Sequence, residues 1–164
     1  MTNVLTLRMD TGSQEFFEHM RQTYYPPGRN QIGAHLTLFH TLPDTLEVCS
    51  VLREITTTQA CFEMNVTGLR SLGRGVAYTC QSPDLLELHG ALAGRFAYDL
   101  NAQDKQRFKP HVVIQNKATP EVARALLDRL QRNFHALEVQ GLGLDLWHYL
   151  GGPWELAQSF PFSG

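Results

Sequence analysis

Two matching stretches constrain this chain most: Ala34-His35-Leu36-Thr37-Leu38-Phe39 and Pro110-His111-Val112-Val113-Ile114-Gln115. The first alternates apolar and polar residues, the pattern of a half-buried strand, which puts His35, Thr37 and Phe39 on one face. The second also sets one His near the start of a short apolar strand. Two similar strands, each offering one imidazole, are what an acid–base enzyme needs.

The order of elements places these strands in equivalent slots. Residues 3–9 alternate as a strand. Thr11-Gly12-Ser13-Gln14 opens a helix carrying Phe16, Phe17, Met20 and Tyr24, which Pro26-Pro27-Gly28 ends. The first His strand covers 34–41. Asp44 is the expected cap of a second helix, with Val48, Val51, Leu52 and Ile55 as its apolar stripe, and residues 61–70 alternate as a strand. After the turn Gly73-Arg74-Gly75 the order begins again. A strand at 75–81 leads to Ser82-Pro83, a cap with proline in the first turn, and a helix through Leu85, Leu88, Leu92 and Phe96. The second His strand covers 110–116. Thr119-Pro120 opens another helix, a strand with a glycine bend near Gly141 or Gly143 covers 136–149, and a closing strand runs from Trp154 to Phe162. The expectation is a single α+β domain over 1–164. It has two pseudo-symmetric β-α-β-α-β lobes, approximately 3–70 and 75–149, whose sheets face a central cleft.

Bulk properties narrow the function. A 164-residue chain with 43% hydrophobic and 18% charged residues can bury a real core. A net charge of −2 leaves no electrostatic footprint for duplex DNA or an anionic membrane, though a local phosphate site remains compatible. Cys49, Cys61 and Cys80 are odd in number and contain no CxxC, so they read as buried small hydrophobes. The N-terminal residues carry no signal-peptide pattern and no transmembrane run is evident, so a cytoplasmic monomer is the default expectation.

The residues of the two His strands carry a family resemblance. His35-Leu36-Thr37-Leu38 resembles the H-x-T/S-x motif of the 2H phosphoesterase superfamily, the so-called 2′-5′ RNA ligases and cyclic nucleotide phosphodiesterases. Phe108-Lys109-Pro110-His111-Val112-Val113-Ile114 resembles its second motif, and the likeness spans essentially the whole chain. One departure stands out: Val113 occupies the place where the family carries a Thr or Ser hydroxyl, and valine cannot donate a hydrogen bond. The resemblance implies metal-independent hydrolysis of a 2′,3′-cyclic phosphate, on an RNA 3′-end or a small nucleotide, with His35 and His111 as acid–base pair and no cofactor. The reverse reaction would form a 2′-5′ linkage. The alternative is a non-catalytic module that binds nucleotides or RNA ends and has a degenerate second motif.

Around this pair, Thr37 is the expected phosphate donor and Gln115 a substitute for the hydroxyl missing at Val113. Phe39, Arg74 and Tyr24 are candidate substrate contacts. His40, an odd number of residues from His35, is expected on the opposite strand face. His19, His89, His135 and His148 read as surface or packing residues, and so do Trp147, Tyr149 and Trp154. No HExxH or HxH spacing points to a metal site.

Overall fold

A computed structural model, describing residues 2–164, arranges the chain as seven antiparallel strands in one sheet with four helices. In order these are β1 (Thr2–Met9), α1 (Thr11–Tyr24), β2 (Thr37–Pro43), α2 (Leu46–Thr58), β3 (Phe62–Ser71), β4 (Val76–Gln81), α3 (Pro83–Arg95), β5 (His111–Gln115), α4 (Pro120–Arg132), β6 (Leu137–Tyr149) and β7 (Trp154–Pro161). The strand path is β2-β1-β6-β3-β4-β5, with β7 pairing β6 off this path.

Local chemistry starts each helix. Ser82 and Thr119 accept the N–H groups of Leu85 and Val122, each followed by a proline in the first turn. Two caps differ from the sequence expectation. Asp10, not Thr11, caps α1: its carboxylate accepts from the Ser13 N–H at 3.1 Å and from the Gln140 N–H at 2.8 Å. Thr45 caps α2, because Asp44 instead receives the Asn3 side-chain amide at 3.1 Å.

β6 joins the two halves of the sheet. Its N-terminal residues 137–141 pair with β3, and residues 143–149 pair with β7, while β1 pairs along 141–148. The partner changes at Gly141-Leu142-Gly143, where the register with β1 also slips by one residue. A Cβ on Gly141 would lie 2.8 Å from the Phe62 ring, and one on Gly143 would lie 2.7 Å from the Phe160 carbonyl oxygen. The bend expected near these glycines is therefore the crossing point of three strands. β3 sits between β6 and β4, so β1 and β2 receive none of its ladder bonds.

One apolar cluster runs from Leu36, just before β2, to Phe160 on β7, with Phe17, Phe39, Leu52, Met64 and Leu144 fully enclosed. α1 packs on β5 and β6, α4 on β3 and β4, α3 on β3, and α2 on β7 and α3. Burial pushes the Cys80 thiol up to about 12, so this cysteine behaves as a core hydrophobe. No helix among the described residues is long and apolar enough to cross a membrane.

β2 departs from simple alternation. Its ladder with β1 slips twice, between Leu5 and Thr6 and again between Asn3 and Leu5. The extra residues explain why Leu38 and Phe39 are both buried, at 2% and 0% exposure, although adjacent strand residues normally face opposite ways.

Gly75, just before β4, permits a close backbone approach: a Cβ there would lie 1.8 Å from the Gln115 carbonyl oxygen. Gly75→Ala should lower unfolding stability by about 3 kcal/mol by forcing β4 from β5. Gly90→Ala in α3, with open space around it, should be neutral or stabilising by up to about 1 kcal/mol. Urea unfolding of both variants checks the contrast.

Candidate active site

The two His strands end the sheet path, and side chains between them tie those ends together. Asp104, in the turn-rich segment before β5, has a side chain only 1% exposed. Its carboxylate accepts from the backbone N–H of His40, at 3.0 and 2.8 Å, and of Thr41 at 3.1 Å, both on β2. Asn101 adds a bond to the Thr41 hydroxyl. From the other side, the buried Arg21 of α1 donates from Nη1 to the Val113 carbonyl on β5 at 2.9 Å and from Nε to Asn30 at 3.0 Å, with its guanidinium over the Tyr25 ring. Residues of β2 and β5 line a common cavity.

Both imidazoles are held the same way. His35 Nδ1 lies 2.8 Å from the Gly33 carbonyl, and His111 Nδ1 lies 2.7 Å from the Lys109 carbonyl. Each carbonyl belongs to the residue two positions earlier. A carbonyl only accepts, so Nδ1 carries the hydrogen in each ring and Nε2 is left for chemistry. His35 precedes the first ladder residue of β2, and His111 is the first residue of β5. Both are half-buried.

The two rings line separate cavities. His111 lines a cavity of about 440 Å³ with Thr37, His40, Arg70, Arg107 and Lys109. His35 lines one of about 490 Å³ with Arg8, Gln31, Asp145, Trp147 and Trp154. Its ring centroid lies 4.6 Å from that of Trp154, so this tryptophan borders the candidate site and is not simply core. A further cavity of about 560 Å³ shares Arg70, Arg107 and Lys109 with the first. The arginine–carboxylate ion pairs among the described residues are Arg8–Asp145 and Arg95–Glu54, and the His40 ring bonds to Asp104. Arg70, Arg107 and Lys109 belong to none of them. An acidic chain thus carries a local cationic surface. No group of three or more His, Cys, Asp or Glu side chains among the described residues is placed to hold a metal ion.

His40 corrects a sequence expectation. One slip of the ladder lies between Thr37 and His40, which reverses the alternation and puts both residues on the cavity side. Its Nδ1 lies 2.8 Å from Asp104 Oδ1. His89 is a packing residue, stacked between Phe39 at 4.6 Å and Phe108 at 3.9 Å, though it also borders the cavity.

Of the residues singled out from sequence, Thr37 reaches the cavity of His111. Phe39 is wholly enclosed beneath it, because the slip turns it into the core. Gln115 is buried under the end of α1, where its Nε2 donates to the Tyr24 carbonyl at 3.4 Å; among the described residues its Oε1 has no partner. Tyr24 packs against the core with its ring beneath Arg129. Arg74 is exposed on the β3–β4 turn, and its carbonyl accepts from the Ala118 N–H. None of these four lines either His cavity. Arg70 and Asp104 were not singled out, and no local pattern marks them. The basic pair Arg107 and Lys109 beside His111 was visible as charge.

Comparison with known proteins decides the family. A sequence model of the 2′-5′ RNA ligase superfamily matches residues 9–153. The chain belongs to this superfamily. No curated protein sequence matches significantly. Among solved structures, TT0787 of Thermus thermophilus is 18% identical, with TM-score 0.70 and coverage of 100% of this chain and 99% of that one. E. coli LigT complexed with 3′-AMP is 16% identical, with TM-score 0.66 and coverage of 99% and 98%. Kluyveromyces marxianus Usb1 is 14% identical, with TM-score 0.50 and coverage of 98% of each chain. These structural likenesses establish a LigT-like 2H phosphoesterase fold.

In this superfamily member, electrostatics disfavours a charge on either imidazole. Burial pushes His35 down to about 4, against the hydrogen bond to Gly33, and the positive charges of Arg21, His40 and His111 push the same way. Burial also lowers His111, with Arg70 and His40 adding to it despite the Lys109 bond. His35 is therefore neutral at pH 7. The imidazole NMR signals of His35 should titrate well below pH 6, near 4. Below about pH 6.5 the unfolded chain takes up a proton at residue 35 that the folded chain refuses. Wild type should thus lose stability relative to His35→Asn as pH falls from about 6.5 to about 4, which denaturant unfolding at several pH values measures.

Proposed function

We propose that the protein hydrolyses a cyclic phosphodiester, the 2′,3′-cyclic phosphate of an RNA end or a small nucleotide, without a metal. His35 and His111 are the acid–base pair. The observation that carries this reading is the shared tautomer: each Nδ1 is bound to a carbonyl two residues back, so each ring offers Nε2. Neutral His35 suits the base. Its Nε2 takes a proton from water as the water oxygen attacks phosphorus. His111 Nε2 delivers a proton to the departing ribose oxygen, leaving a ribose hydroxyl and a phosphomonoester. The anionic substrate offsets the neighbouring cations and lets His111 enter the reaction protonated. Thr37 and Arg70 line the same cavity as donors for the non-bridging oxygens. Trp154 beside His35 provides a face for a base. The nucleotides named with LigT, 3′-AMP, NADP+ and ATP, support a nucleotide-sized ligand.

A second reading, a module that binds such ends without turnover, draws on Val113, which faces β5's half-buried side without a hydroxyl. The discriminating experiment incubates the protein with 2′,3′-cyclic AMP in EDTA. Turnover is expected, with losses of about 10²- to 10⁴-fold in His35→Ala and His111→Ala and roughly tenfold in Thr37→Val. Binding without turnover supports the module, and activity that EDTA abolishes overturns the metal-free mechanism.

A further inference from the structure

We propose that His40, oriented by Asp104, is a third substrate-contacting imidazole, donating from Nε2 to a non-bridging oxygen of the bound phosphate. This rests on the reading of the cavity as a phosphodiester site. The two His strands are unequal in one respect: two residues after His35 stands the Thr37 hydroxyl, and two residues after His111 stands the side chain of Val113. Gln115, the next polar residue on β5, is buried under α1 with its amide turned to Tyr24. The cavity therefore has a hydroxyl from β2 and none from Val113. His40 borders the same cavity, with its side chain 43% exposed.

The slip in β2 turns His40 to this side, and Asp104 fixes its orientation. The carboxylate is ionised: burial works against that, but bonds from the His40 ring, the His40 N–H and the Thr41 N–H outweigh it and hold the carboxyl below its ordinary value. An ionised carboxylate only accepts, so the Nδ1 hydrogen points at Asp104 and Nε2 faces away from it. A phosphate arriving at Nε2 places the ring between two anions. In its imidazolium form the ring donates from both nitrogens, a charge-assisted pair of bonds. His40 and His111 line the same cavity.

The test reads wild-type protein first. On addition of inorganic phosphate, the His40 imidazole signals, assigned from their absence in His40→Gln, should shift together with those of His111. Kinetically, His40→Ala should raise KM for 2′,3′-cyclic AMP about tenfold or more with a smaller change in kcat. His40→Gln, whose amide can donate, should recover part of this, and Asp104→Asn should weaken binding in the same direction. His40 signals that stay fixed while those of His111 move, or a His40→Ala enzyme within about twofold of wild-type KM, overturn the inference and leave the His35–His111 mechanism standing. If wild type turns over no cyclic nucleotide, the phosphodiesterase reading falls, and the phosphate titration alone decides the role of His40.

Discussion

The architecture depends on β6 serving two halves of one sheet. A 13-residue strand that keeps β1 along one edge while exchanging β3 for β7 along the other must bend where the partners change. The bend leaves no room for side chains, which is why Gly141 and Gly143 stand against the Phe62 ring and the Phe160 carbonyl. With β6 in the middle, β2 and β5 become the ends of the path, and each end strand has an edge that the ladder leaves unpaired. Exposed edges invite non-native pairing. Here they are covered by intramolecular partners: Asp104 takes N–H groups of β2, and Arg21 takes a carbonyl of β5.

That closure also sets the electrostatics of the candidate site. Cations from several elements lie near the half-buried imidazoles. Arg21 comes from α1, Arg70 from β3, and Arg107 and Lys109 from the segment before β5. Desolvation and neighbouring positive charge act in the same direction on His35 and His111. An anionic ligand reverses the second effect, which makes protonation of the site and occupation by phosphate linked events. The net charge of −2 conceals this surface, because net charge sums over the whole chain while a ligand meets only a local field.

Several features were legible in the residues because they are local. Ser82-Pro83 and Thr119-Pro120 start helices by bonds to their own first turns. Pro26-Pro27 ends a helix because proline lacks an N–H. The alternation of Phe62, Met64 and Val66 marks β3, and the two HxT-like stretches lie where short strands begin or are about to begin. The resemblance carried by His35-Leu36-Thr37 and Pro110-His111-Val112 supplied the superfamily. Other assignments failed where non-local contacts decide. Strict alternation put Phe39 toward the substrate and His40 away from it, and the slipped β1–β2 ladder does the opposite. Gln115 looked available on its strand, but α1 covers it.

The sequence by itself thus determined the element types, their order, the superfamily and the positions of the two imidazoles, because hydrophobic period, caps and turn residues act over a few neighbouring positions. Only the tertiary structure decided which strands pair, which side β2 presents, and that Asp104, Arg70, Arg107 and Lys109 meet at one cavity. The physical reason is that register and closure are set by ladder bonds and buried polar contacts between distant residues. The Asp104 carboxylate reaches His40 and Thr41 across more than 60 residues of chain, and no local pattern encodes such a contact.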